Sequence, residues 1–171
     1  MKIAFGYKMS SGKDTSVDYL IKKYGGEKIS FSKFLYNIMY YVQDLCGLEK
    51  EKDRHFLQLI GTEWGRKKDP NIWVNLVLKD IKENIPNDKN LYCSDVRFLN
   101  EFKALKNDGW FCVKLIRNKV NKRRIGTGDE NHISEHDLDS LDDSEWDFVL
   151  DNNGNKENLF RQLDEIVKKL M

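Results

Sequence analysis

"GYKMSSGKDT", residues 6–15, stands directly behind the apolar run Ile3-Ala4-Phe5. Residues 2–6 read as a buried strand, and from Lys13 onward Val17, Leu20, Ile21 and Tyr24 fall at helical spacing. The stretch is therefore a strand, a loop and a helix in succession, the setting that a phosphate-binding loop requires. It nearly spells Gly-x-x-x-x-Gly-Lys-Ser/Thr, with three departures. Gly6 lies one residue early, Tyr7 occupies the place of the first glycine, and Asp14 precedes the hydroxyl residue Thr15. Such loops work because small residues let successive backbone N–H groups point at an anion, and the following helix adds the positive end of its dipole. A lysine then reaches the β- and γ-phosphates, and a hydroxyl residue helps to hold Mg²⁺. Gly12, Lys13 and Thr15 supply these parts, while Ser10 and Ser11 permit close backbone approach. Tyr7 must turn its side chain away from the phosphates, with Gly6 or a local backbone adjustment covering for the missing glycine. The plain alternative is a glycine-serine turn that happens to contain a lysine; the position behind the first strand favours the loop.

Working outward, a chain of 171 residues is the usual size of one domain and can bury a proper core. Its net charge of +1, with both signs mixed along the chain, argues against a dedicated nucleic-acid or membrane-surface binder. No apolar stretch approaches a membrane span, and no signal peptide opens the chain. Cys46, Cys93 and Cys112 are odd in number, match no metal framework and sit in apolar context, so they read as reduced core thiols of a cytosolic protein.

Further along, one helix should carry Phe34, Leu35, Ile38, Met39, Val42 and Leu45, and another should run from about Asp53 to Gly65 with Phe56, Leu57 and Ile60 inward. Asp69-Pro70 predicts an N-cap followed by proline at the first position of a helix that buries Trp73, Val74, Val77 and Ile81. Strands are expected at 91–94, 110–116 and 146–150, with a short helix carrying Phe98, Phe102 and Leu105 between the first two. Residues 117–145 are charged, contain glycine and are weakly periodic, which suits a mobile flap. A last helix carries Leu159, Leu163, Ile166, Val167 and Leu170 at spacings of three and four. Strands alternating with helices imply a parallel α/β sheet, and no linker or repeat divides the chain.

Asp95 follows the apolar run Leu91-Tyr92-Cys93 and so falls at the carboxyl end of a strand, the edge where open α/β sheets hold ligands. A carboxylate there can organise Mg²⁺ through water or accept a proton from an attacking oxygen. Arg97 can fork onto a phosphate, since its donors are planar and always charged. The competing reading is an ion pair of Asp95 with Arg97 at the surface, or Glu101 orienting the guanidinium one helical turn later.

With its loop, the chain resembles the deoxynucleoside monophosphate kinases of large DNA viruses and bacteriophages, P-loop kinases whose loop typically reads Ser-Gly-x-x-x-Ser-Gly-Lys-Asp-Thr. Gly6 and Tyr7 take the place of the Ser-Gly pair. "LQLIGTEWGRKKDPNIWV" (57–74) resembles the family's Gln-x-x-Gly-Thr-x-x-Gly-Arg segment followed by Pro-x-x-Trp. "SDVRFLNE" (94–101) resembles Asp-Val-Arg-Phe-x-x-Glu, and "HISEHDLD" (132–139) resembles His-x-Ser-Glu-x-x-Leu. Four segments in the expected order are spread over residues 6–139 of the chain.

The resemblance implies a single domain over 1–171 with a three-layer P-loop kinase fold: a parallel central sheet, helices on both faces and a mobile lid within about 117–145. It implies ATP and Mg²⁺ as cofactors, with Ser10, Ser11, Gly12, Lys13, Asp14 and Thr15 around the donor phosphates, Asn152 and Asn153 near its adenine, and Thr15 and Asp95 near the metal. Lys13, Asp95, Arg97 and the lid residues Arg123 and Arg124 would be catalytic; Lys8, Gln58, Trp64, Arg66, Trp73 and Arg97 would serve the acceptor. Trp64 and Trp73 are also at spacings that suit a core. His132, Ser134 and Glu135 lack a nucleophile elbow and are not a hydrolase triad; they belong to the flap.

The expected activity is ATP-dependent phosphorylation of deoxynucleoside monophosphates in the cytoplasm, the host's if the protein is viral. Its partners would be small molecules, without nucleic acid or membrane, in an assembly that family members often form as dimers. A phosphomevalonate-type kinase is the nearest alternative, since two arginines would clamp that acceptor equally well. A nucleotide-binding regulatory module that has lost catalysis, as Tyr7 suggests, is the other.

Overall fold

The structure is a computed structural model and describes residues 1–118 and 133–171. Arg123, Arg124 and His132 lie outside the described residues, as does the central part of the expected lid. The chain forms two compact units, Met1–Ile29 with Asp88–Met171, and Ser30–Asn87.

The first unit is built on five parallel strands: β1 (Lys2–Gly6), β2 (Glu27–Ile29), β3 (Leu91–Val96), β4 (Phe111–Ile116) and β5 (Phe148–Asp151), in the order β2-β3-β1-β4-β5. Successive side chains of a strand point to opposite faces, and the sequence uses this alternation fully. Ile3 and Phe5 of β1, with Val113 and Leu115 of β4, join Val17 and Leu20 of helix α1 (Lys13–Tyr24) in one core. Leu159, Leu163, Ile166 and Val167 of the carboxyl-terminal helix complete that core. On the opposite face Gly6 lies under Trp146, whose ring meets Phe102 edge-on with centroids 4.7 Å apart. Phe102 belongs to a helix over Leu99–Asn107, so this unit has helices on both faces of a parallel sheet.

The second unit holds α2 (Lys33–Leu45), α3 (Arg54–Gln58), a π-helix over Leu59–Arg66 and α4 (Ile72–Asn84). With these named, the Leu99–Asn107 helix is α5 and the last helix, Lys156–Leu170, is α6. Asp53 caps α3 by accepting the Phe56 N–H at 2.9 Å. Trp73 is buried on the π-helix, its indole N–H donating to the Gly61 carbonyl at 2.8 Å.

Several expectations need correction. β2 carried no pattern in the sequence, because three residues beginning Glu27-Lys28 show no alternation. The helix expected from Asp53 to Gly65 changes pitch after Gln58 and continues as the π-helix. α4 begins at Ile72, two residues later than Asp69-Pro70 suggested, because the Asp69 carboxylate accepts the Asn71 N–H at 2.8 Å and closes a local turn instead of capping the helix. Leu45 is 69% exposed and Cys46 is exposed, at the point where α2 ends. Cys93 and Cys112 are buried thiols, and burial pushes Cys112 up to about 12, which leaves it unreactive. Residues 137–145 are more ordered than a flap: they form short 3₁₀ turns at Asp137–Ser140 and Asp143–Glu145 and bury Leu138 and Leu141.

Candidate active site

All five strands end on one side of the sheet, and β1, where the strand order reverses direction, delivers the loop of residues 7–12 to the middle of that edge. The loop's handedness is set by three residues in the left-handed region: Tyr7 (φ 90°), Ser10 (φ 60°) and Gly12 (φ 106°). Tyr7 thus adopts the conformation that a glycine would take, at a cost of about 1–3 kcal/mol. Gly6 does not cover for it; it is needed because any Cβ there would come within 2.7 Å of the Trp146 ring. The Tyr7 side chain turns to the Lys114 ammonium, which stands 4.3 Å from the ring centroid and is itself paired with Asp143 at 2.7 Å.

Lys13 opens α1 and is only 6% exposed. Its ammonium donates to the carbonyls of Tyr7 (3.1 Å) and Lys8 (2.5 Å), so the charge is held inside the curve of the loop. Burial, and next the Arg97 guanidinium, lower its pKa to about 8; the charges of Glu135, Asp14 and Asp95 pull the other way. Lys13, Arg97, Asp95 and Glu135 therefore share one electrostatic neighbourhood. Thr15 is half-buried on the first turn of α1.

Asp95 sits near the end of β3 and accepts from the Cys93 thiol at 3.2 Å. Arg97 makes its ion pair with Glu135, not with Asp95. Glu101 serves the backbone: its buried carboxylate accepts the N–H groups of Arg97 (2.8 Å) and Phe98 (3.0 Å) at the start of α5. That fixes the turn from which Arg97 projects. Among the described residues no group of three or more His, Cys, Asp or Glu is placed to hold a metal ion. Thr15 and Asp95, the two oxygen donors expected near Mg²⁺, are too few for an all-protein cage, and Mg²⁺ commonly keeps several waters and shares ligand phosphates.

Asn152 is buried against the loop itself, its amide donating to the Ser11 carbonyl at 2.7 Å. Asn153 accepts the Asn118 N–H at 2.8 Å. Asp14 accepts from Lys28 and from Ser94, both at 2.7 Å. Lys8 is drawn to the other side, donating to the Glu135 carbonyl at 2.6 Å and pairing with Asp139. Ser10 and Ser11 lie in the loop, Ser11 buried with its Oγ 3.4 Å from the Lys13 ammonium.

Gly12 marks how tightly loop and brace are fitted. A Cβ there would stand 2.4 Å from the Asn152 amide nitrogen, in a backbone conformation that side chains rarely adopt. Gly12→Ala should lower stability by about 2–4 kcal/mol and weaken nucleotide binding in parallel. Chemical denaturation checks the first and nucleotide titration the second; an unchanged midpoint would refute this account of the loop.

The four remaining candidates belong to the second unit. Gln58 and Arg66 are half-buried, and Arg66 donates to the Pro70 carbonyl at 3.4 Å. Trp64 is 50% exposed on the π-helix, whereas Trp73 is 2% exposed and is a core residue. A π-helix is uncommon and favours functional positions; here Gly65 makes room for the Trp73 ring, which a Cβ would approach to 2.6 Å.

The specific place of Glu135 is not evident from the sequence, where it is one of several charged flap residues. Its only signal was the alternation Glu135, Asp137, Asp139. The structure uses all three: Glu135 on the Met9 N–H at 2.9 Å, Asp137 on the Leu99 N–H at 2.7 Å and Asp139 on Lys8. Lys114 lies inside a strand whose sequence signal is its apolar run, and nothing local marks its partner.

No protein-family model matches the chain. It is 36% identical over 143 residues to the uncharacterized protein ORF77 of Ictalurid herpesvirus 1, covering 82% of this chain and 60% of that protein. It is 30% identical over 144 residues to ORF76 of the same virus, covering 80% of this chain and 56% of that protein. The chain thus spans somewhat over half the length of these curated relatives. Among solved structures it resembles a dephospho-CoA kinase from Campylobacter jejuni, with a TM-score of 0.56, 16% identity, and coverage of 99% of this chain and 98% of that one. It also resembles TT1252 from Thermus thermophilus, with a TM-score of 0.53, 18% identity and the same coverage. The fold is the α/β fold of P-loop kinases.

Proposed function

We propose that this chain is a P-loop phosphotransferase that moves the γ-phosphate of ATP onto a deoxynucleoside monophosphate. One observation carries the reading: a lysine ammonium is kept buried in the curve of a phosphate loop, beside an arginine, at the carboxyl edge of a parallel sheet. A buried cation held by neutral carbonyls is costly unless an anion is meant to arrive.

In this reading the loop amides and Lys13 bind the donor's terminal phosphates, and Arg97 binds the acceptor's phosphate. An acceptor oxygen attacks the γ-phosphorus, the bond to the β-bridging oxygen breaks, and ADP leaves. Such transfer needs alignment and charge neutralisation more than covalent help. Mg²⁺, held from Thr15 and Asp95, would supply further neutralisation of the phosphates when bound. Asn152 keeps the loop in shape, and Asn153 is the residue proposed nearer the adenine. Gln58, Trp64 and Arg66 are proposed for the acceptor and Arg123 and Arg124 for the transferring group, as parts of one domain with a lid within about 117–145. The deoxynucleotide acceptor rests on the 57–74 and 94–101 motifs, and action in a host cytoplasm is proposed on the resemblance to viral enzymes.

The likeness to a dephospho-CoA kinase favours a second reading, the same chemistry on another small acceptor. Coupled ADP release with ATP, Mg²⁺ and each deoxynucleoside monophosphate, with dephospho-CoA and phosphomevalonate as further acceptors, separates them. Turnover is expected with one or more deoxynucleotides. Turnover confined to dephospho-CoA or phosphomevalonate would move the assignment there, and ATP binding without turnover on any acceptor would make this a regulatory module.

A further inference from the structure

We propose that Glu135 is a built-in surrogate for a ligand phosphate: its carboxylate fills an anion site made by the Met9 N–H and the Arg97 guanidinium, and it must leave for a phosphate to enter. The inference rests on the kinase reading of the loop and adds the residue that competes for its anion site.

One carboxylate oxygen accepts the Met9 N–H at 2.9 Å, and the other pairs with Arg97. Met9 belongs to the phosphate loop, whose backbone donors are the groups that face an anion. Arg97 is the planar donor suited to phosphate. A single carboxylate bridging these two donors, with its side chain 11% exposed and its charge felt by Lys13, occupies the position of an oxyanion in chemistry and in charge. The rest of the segment is tethered independently of that contact. The Glu135 carbonyl accepts from Lys8 at 2.6 Å, Asp139 pairs with Lys8, and Asp137 accepts the Leu99 N–H. The carboxylate can therefore rotate out while its backbone stays in place. The arrangement has two consequences: the loop's cationic edge stays neutralised when empty, and a weakly bound anion cannot displace the carboxylate. Affinity for a phosphate ligand is then reduced by the fraction of time the site is filled from within.

Glu135→Gln keeps the shape and removes the charge. Calorimetric titration with inorganic phosphate should give about tenfold tighter binding in Glu135→Gln than in the unsubstituted protein, the result for a site self-occupied roughly nine-tenths of the time. The gain should vanish when Glu135→Gln is combined with Arg97→Ala. In the unsubstituted protein, saturating phosphate should shift the Met9 amide resonance as its acceptor changes. Unchanged or weaker phosphate binding in Glu135→Gln would overturn the proposal and make Glu135 a positioning residue for Arg97; so would a Met9 amide indifferent to phosphate. These readouts need no phosphoryl transfer. A tenfold gain without turnover on any acceptor would sink only the kinase reading.

Discussion

Lys13→Met should reduce kcat by about 10³-fold or more and leave the protein more stable than before. The first effect follows from where the ammonium lies, inside the loop proposed to hold the donor phosphates. The second follows from what it costs. Lys13 has its pKa lowered from 10.5 to about 8, with burial the main cause. Holding the charged form at pH 7 therefore opposes folding by about 3 kcal/mol at 1.36 kcal/mol per unit. Losing its bonds to the Tyr7 and Lys8 carbonyls offsets part of that, so the expected net gain is about 1–3 kcal/mol. The pH dependence has a definite sign. Between pH 8 and 10.5 the unfolded chain binds the Lys13 proton and the folded one does not, so this residue's contribution to stability rises with pH across that window. The advantage of Lys13→Met should therefore shrink as pH rises from 8 to 10.5. Nucleotide affinity of the unsubstituted protein should fall about tenfold per pH unit above 8. Denaturation midpoints across pH, with nucleotide titrations, test all three; a variant that keeps a tenth of the activity would remove Lys13 from the donor site.

Arg97→Ala should raise the acceptor KM by about 10²-fold, the loss of a charge-assisted pair of hydrogen bonds worth about 3 kcal/mol, with the ATP KM changed far less. Arg97→Lys should recover little, because a point charge does not reproduce the planar fork. A second effect follows from the electrostatics: Arg97 is the charge that lowers the Lys13 pKa, after burial. In Arg97→Ala the alkaline fall in nucleotide affinity should move to higher pH. Equal increases in both KM values would place Arg97 on the donor side.

The elements that could be read from sequence are those whose signal is local. α1 and α6 announce themselves through apolar residues at spacings of three and four, and β4 through a continuous apolar run. The loop residues Gly12 and Lys13 were legible because a turn between a strand and a helix allows few residue types there. β2 and the π-helix were not legible, the one too short for a period, the other with a period that differs from 3.6. Trp73 and Trp64 show the same limit. Their spacing allowed core or base stacking for both, and only packing against Gly61 and Gly65 made Trp73 a core residue and left Trp64 exposed.

By itself, then, the sequence determined the strand-loop-helix unit, the parallel α/β class, and the placement of Lys13, Asp95 and Arg97 at strand ends or the first turn of a helix. These follow from backbone preferences and burial along contiguous residues. The tertiary structure decided which distant groups meet. The crossovers of the sheet carry Glu135 to Met9 across 126 positions and Asn152 to Ser11 across 141. They also set Lys114 beside the ring of Tyr7, the tyrosine that takes a glycine's conformation in the loop. No local period encodes such meetings, because they depend on the order in which parallel strands are laid side by side, and that order is settled only when the whole sheet buries its two faces.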